Sequence, residues 1–190
     1  MLAQLTQRLL STRTFETAVQ TILDDVVALH GAEYGNVQLP LRDELVIVAQ
    51  RGLSAPFLKT FRRVKADDGC ACGRALRLGK PVVVVDVDKD PEYAPFRKDA
   101  KSAGYRSVQS TPLMANKRRL VGIVSTLFAQ VYEPTAIEME VLSTYSAVAA
   151  EHLHTLIADG TLAERAKQMN ETLYRELANG TMARASSKVR

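Results

Sequence analysis

Tryptophan is absent from this 190-residue chain, cysteine occurs twice, and aromatic residues make up only 6% of it. Without Trp, and with no basic run interleaved with Phe or Tyr, there is no stacking platform for nucleic-acid bases. Two cysteines exclude a disulfide framework as the source of stability. No window holds about 18 consecutive apolar residues, so no membrane span is expected. The opening MLAQLTQRLLSTRTF has neither a basic leader nor a small-residue cleavage site after an apolar run. No secretory signal is read there, and the expected compartment is cytoplasmic.

Excess charge of one sign is also scarce. The net charge is +4, and three of those charges, Arg184, Lys188 and Arg190, sit in the acid-free ending TMARASSKVR. The rest of the chain is close to neutral and leaves little footprint for a phosphate backbone, so neither nucleic acid nor membrane is expected as a partner. With 46% hydrophobic and 24% charged residues the composition is that of a globular protein with one core and an appendage.

Several chemical signatures are missing as well. His30, His152 and His154 include no HExxH pair, and the latter two would stand about 200° apart on a helix, facing different ways. His152 falls on an apolar stripe, where a satisfied core or interface histidine outweighs a haem ligand. Asp86, Asp88 and Asp90 in DVDKDP imitate the start of a calcium loop, but its sixth and twelfth positions are Pro91 and Arg97 instead of Gly and Glu. Phosphate loops of the Walker or dinucleotide type are absent. No metal site is expected, and no cofactor is assigned.

What is present is a clear order of elements. Phe15, Ala18, Val19, Ile22, Leu23, Val26 and Leu29 repeat at three and four, predicting an amphipathic helix that ends near Gly31. Tyr34 to Leu41 and Leu45 to Gln50 read as strands joined by Arg42-Asp43-Glu44. Ser54 caps a short helix carrying Phe57, Leu58 and Phe61, and Val64 begins a brief return strand. Val82 to Val87, apolar at successive positions, reads as a main strand covered on both faces. Arg106 to Leu113 and Leu120 to Gln130 form a last hairpin across a polar turn. Ser107, Gln109, Ser110, Thr111, Ser125 and Thr126 put unusual polarity into these two strands, with Ser110 on the opposite face from the other three in its strand. From Pro134 a helical stripe runs to Leu156. After Asp159-Gly160 a narrow seam of Leu162, Ala166, Met169, Leu173 and Leu177 offers itself either to a partner chain or to its own domain. Residues 181–190 read as a disordered basic tail.

The segment Asp67 to Pro112 is the most informative. Gly69 and Gly73 bracket a tight bend, Ala71 to Leu78 make a short helix stopped by Gly79 and Pro81, and Asp90 to Gly104 read as a lid over the sheet. Here CGRALRLGKPVVVVDVDKDP, followed by GYRSVQSTPLMANKRRLVGIVSTLFA, resembles a GAF domain of the kind found in bacterial histidine kinases and related signalling proteins, over residues 12–158.

The resemblance implies an α+β fold, an α/β sandwich of GAF/PAS type. Its central antiparallel sheet of about five to six strands would carry the N- and C-terminal helices on one face and pocket-forming loops and short helices on the other. It further implies a sensory module without catalysis, in which a small molecule contacts Cys70, Cys72, Asp86, Tyr93, Tyr105 and Gln109. Residues 159–180 would then serve as a signalling or dimerisation helix, leading to a homodimer or to a kinase or other signalling partner. The cysteines keep a second reading open. Free methionine-R-sulfoxide reductases share the GAF fold and place a Cys just before the Gly that opens this helix. Cys72, at a helix start that favours thiolate, would be the nucleophile, with Cys70 beside it. The further cysteines of those enzymes are missing. So are the Cys-His pair of bilin-binding members and the Asn-Lys-Phe-Asp-Glu set of cyclic-nucleotide-binding ones. A third reading is a ligand-free dimerisation module.

Overall fold

The computed structural model describes residues 1–116, 118–157 and 161–180. The predicted tail at 181–190 and the Asp159-Gly160 break lie outside the described residues. Among the described residues, seven helices and six strands follow in the order α1 (Leu2–Leu10), α2 (Phe15–His30), β1 (Tyr34–Leu41), β2 (Glu44–Arg51), α3 (Ala55–Thr60), β3 (Arg63–Lys65), α4 (Ala71–Leu78), β4 (Val82–Val84), α5 (Arg97–Ala103), β5 (Ser107–Ala115), β6 (Arg119–Phe128), α6 (Ala136–Thr155) and α7 (Leu162–Ala178). A 3-10 turn, Ala94–Phe96, precedes α5. The strands form one antiparallel sheet in the order β3-β2-β1-β6-β5-β4. The expected fold class holds.

Both faces of the sheet are covered, which fixes where a site can lie. On one face the stripe of α2 (Phe15, Val19, Ile22, Leu23, Val26) packs with Leu9 of α1, Leu142, Ala149 and Leu153 of α6, and Val37, Leu39 and Val124 of the sheet. The Thr14 hydroxyl accepts from the Thr17 N–H to start α2, and Gly31 ends it in the left-handed conformation. Asp25, fully buried in this layer, accepts from the Tyr145 hydroxyl at 2.5 Å and pairs with Arg8, tying α1, α2 and α6 together. On the other face α3, α4 and α5 enclose a second core of Leu45, Ile47, Phe57, Phe61, Tyr105, Ile123 and Leu127.

Two expectations are corrected, and one helix is added. The Val82 to Val87 run supplies only a three-residue edge strand, with Val82 and Val83 half-buried; a bend follows at Val85, and the Val87 N–H donates to the Arg106 carbonyl at 2.9 Å. The β1–β2 connection is Arg42-Asp43 alone, because Glu44 already pairs with Leu41, and Arg42 takes φ +60° to close it. A first helix, α1, precedes the predicted one.

The seam of α7 is occupied within its own chain. Leu162 and Ala166 join the first core and Leu173 and Leu177 pack against the second. The buried Asn170 amide donates to the Ile47 carbonyl at 2.7 Å, the Tyr174 hydroxyl donates to the Leu58 carbonyl, and Arg62 stacks 4.5 Å over the Tyr174 ring. Of the two occupants that the seam allowed, the domain itself takes it.

Candidate functional site

Between the sheet and its second helical layer lies a small cavity lined by buried residues, apolar in its roof and polar along part of its floor. Its floor is an in-register row across three strands, in which Asn36 of β1 faces Ser125 of β6 and Ser125 faces Ser110 of β5. Gln38 lies two residues further along β1. Strand alternation sends Val37 and Leu39 to the opposite core and Asn36 and Gln38 into the cavity. Ser110 and Ser125 satisfy one another at 2.8 Å. The carboxamide oxygens of Asn36 and Gln38 have no partner, although these residues are only 4% and 1% exposed. A buried, unpaired amide oxygen costs about 1–3 kcal/mol, a cost that a hydrogen-bonding guest would remove. Phe57 from α3 and Phe61 at its C-cap, Ala71 and Cys72 from α4, and Tyr93 from the lid form the roof. The enclosed volume is about 20 Å³, room for about one water molecule. The solvent-shielded hollow expected from the sequence exists, but it is nearly filled by side chains.

The two thiols stand together at the start of α4. Cys70 is its N-cap residue, and its Sγ lies 3.5 Å from that of Cys72; both are free and buried. The expected Cys72 thiolate is not what this geometry favours. The hydrogen bond to Cys70, then burial, pushes the Cys72 thiol well up, whereas the hydrogen bond from Cys72 draws the Cys70 thiol down. Helix-terminus stabilisation applies to Cys70, and Cys72 is the neutral donor facing the cavity.

The lid is pinned by close packing and by charge. A Cβ on Gly69 would lie 2.2 Å from the Glu92 carbonyl oxygen, so the bend admits no side chain there. Arg74, 8% exposed, donates to Asp90 at 2.9 Å and to Glu92 at 3.3 Å. Arg97 donates to the carbonyls of Val87 and Asp90. The hydroxyls of Tyr93 and Tyr105 meet at 2.9 Å; burial first, and their mutual contact second for Tyr93, holds both phenols above their usual range and therefore neutral.

Of the six residues predicted to touch a ligand, Cys72 and Tyr93 line the cavity, and Cys70 and Tyr105 support them from behind. Gln109 does not belong there. With Ser107 and Thr111 it faces the helical layer, where its amide nitrogen lies 3.3 Å from the Met139 sulfur, and Ser110 takes the cavity side. Asp86 is also elsewhere. It pairs with Arg106 at 2.9 Å and accepts from the Asp88 N–H, contacts that hold its carboxyl below the ordinary range and serve the turn after β4. His152 bonds Thr12 at 2.9 Å. Among the described residues no cluster of His, Cys, Asp or Glu could hold a metal ion, and no helix is long and apolar enough to cross a membrane.

Asn36, Gln38 and Arg74 were not singled out from the sequence. The only available signal was polarity alternating with apolarity in β1, which reads equally well as a solvated face.

A family model described as GAF domain matches residues 12–154. A comparison with curated proteins finds no match. Among solved structures, the GAF domain of a phosphoenolpyruvate-protein phosphotransferase from Coxiella burnetii is 19% identical with a TM-score of 0.69, covering 83% of this chain and 92% of that one. A free methionine-R-sulfoxide reductase from Neisseria meningitidis, solved with its substrate, is 20% identical with a TM-score of 0.64, covering 82% and 87%. A domain of a two-component sensor histidine kinase protein from Sinorhizobium meliloti is 16% identical with a TM-score of 0.61, covering 78% and 96%. At these identities the three structures support the fold alone, while the family model spans most of the sequence: this chain belongs to the GAF domain family.

Proposed function

We propose that this GAF domain is a sensory module whose cavity takes a small molecule and whose terminal helix carries the bound state to a signalling partner. The observation that carries this reading is the pair of unpartnered carboxamides, Asn36 and Gln38, buried beneath an ion-paired lid. Side chains that only filled space would be cheaper if apolar.

A route to α7 supports the relay. Phe57 of α3 and Phe61 at its C-cap line the cavity, and the Leu58 carbonyl beside Phe57 receives the Tyr174 hydroxyl of α7. A guest that displaces the Phe57 or Phe61 ring moves the element on which α7 rests, biasing one α7 position over another. The partner in this reading is a second copy of the chain, a kinase or another signalling protein. With the α7 stripe occupied, α1 is the terminal helix that retains exposed apolar surface, at Leu10. Native mass spectrometry of freshly purified protein tests the sensor directly, with a retained molecule or a ligand-induced rise in melting temperature expected. Protein that carries nothing, and that no compound stabilises, is a ligand-free scaffold instead. Sedimentation at micromolar concentration tests the dimer, which a purely monomeric profile rules out.

The paired thiols favour a second reading, reduction of free methionine-R-sulfoxide. Turnover with that substrate and a thiol donor, lost in Cys72→Ser, would establish it. No turnover in the parent protein would dismiss it.

A further inference from the structure

The cavity's lining has a uniform property that its fold does not require. None of its eleven residues carries a formal charge, and every polar group among them is a carboxamide, a hydroxyl or a thiol. The buried cation nearest the lid, Arg74, is matched by Asp90 and Glu92. The acid just before α4, Asp68, lies outside the lining and accepts from the Lys65 N–H at 2.7 Å. An anion entering this space would find no counter-charge, and a cation would find no carboxylate, while each would lose its hydration. The cavity nevertheless holds the unpartnered oxygens of Asn36 and Gln38, which seek donors.

We infer that the cavity selects uncharged hydrogen-bond donors of the carboxamide, urea or lactam class, with their N–H groups on Asn36 and Gln38. This deepens the reading of the cavity as a binding site and rests on it. At about 20 Å³ the space admits even the smallest such guest only when Phe57, Phe61 or Tyr93 gives way. Aromatic rings in the roof then suit a planar guest.

Isosteric triads separate charge from shape. Acetamide, acetate and acetamidinium share one outline, as do benzamide, benzoate and benzamidinium. Each is titrated into the full chain labelled with nitrogen-15, following the side-chain carboxamide signals of Asn36 and Gln38. The expected result is saturable movement of those signals with an amide, at least tenfold tighter than with either isosteric ion, and its loss in Asn36→Leu or Gln38→Met. Carboxylate or amidinium binding that equals or exceeds the amide at the same signals overturns the charge selection and leaves the cavity a binding site. Silence from both triads, in a protein that also retains no molecule by native mass spectrometry, overturns the inference and the sensor together. The titration uses the parent protein, so it remains decisive even if a variant fails to fold.

Discussion

Arg74 and Asp90 meet at 2.9 Å beneath the lid, and the guanidinium is almost wholly removed from water. A cation buried in this way is costly unless its partners stay in place, so the lid is fastened at a site where losing one partner strands the other. Arg74→Met is expected to lower stability by about 2–4 kcal/mol. It should also free the segment around Asp90 and Glu92, and Cys72, shielded in the parent, should then react several times faster with a thiol reagent. Chemical unfolding and the rate of thiol labelling check the two halves of this expectation.

Two glycines near α4 should respond differently to the same methyl group. At Gly69 a Cβ would meet the Glu92 backbone oxygen at 2.2 Å, and backbone cannot swing aside. Gly69→Ala should therefore cost about 2–3 kcal/mol, as overpacking does. At Gly79 the φ is +62° but nothing lies within 4 Å, so Gly79→Ala should cost about 1 kcal/mol, the backbone term alone. Urea midpoints for the two variants measure the difference, and equal losses would contradict the tight bend.

His30 gives the stability a pH dependence of definite sign. Burial lowers its pKa below 6.5, against a smaller opposing pull from Glu138; its Nδ1 bonds Thr126 at 3.0 Å and its Nε2 has no partner. The unfolded chain, with an ordinary imidazole, takes up the proton first as pH falls below about 6.5. His30 thus contributes full stability above that pH and loses it on acidification until the folded pKa is passed. The slope for one proton is at most about 1.4 kcal/mol per pH unit. Urea unfolding at pH 7.5 and 5.5 should show the parent weaker at the lower pH and His30→Gln less affected.

The docking of α7 rests on few polar contacts, so each should be separately measurable. Asn170→Leu leaves the Ile47 carbonyl without its 2.7 Å donor and should cost about 1–3 kcal/mol. Tyr174→Phe removes only the hydroxyl on Leu58 and should cost about 1 kcal/mol. Both should raise hydrogen exchange in Leu162–Ala178 more than in α2, a contrast lost if α7 does not depend on these contacts.

The elements were legible where short-range rules operate. The period of α2 and its Gly31 stop, the Ser54 cap, the Gly79 stop and the pairing of β5 with β6 all depend on neighbours in sequence, and the structure has each of them. Sequence alternation also separated Ser110 from Gln109 correctly. It could not say which of the two faces held the cavity, because that depends on β5 lying beside β6 and on which helices cover which side. Asn36 and Gln38 stayed hidden for the same reason. Polar residues alternating with Val37 and Leu39 look solvated until β1 proves to be an inner strand covered on both faces. Arg74 carries no such signal in the sequence, since only the folded lid brings Asp90 and Glu92 to it. Asp86 was assigned by its position at a strand end, where Arg106 claims it.

A cavity lined by buried residues also governs timing. Because every residue around it is buried, any molecule that the proposed sensor takes would have to arrive and depart while the cover is displaced, a segmental motion of microseconds to milliseconds. Once the guest is abundant, its capture rate should stop rising with concentration and settle at the frequency of opening. Escape would wait on that same event, so occupancy should outlast brief changes in supply.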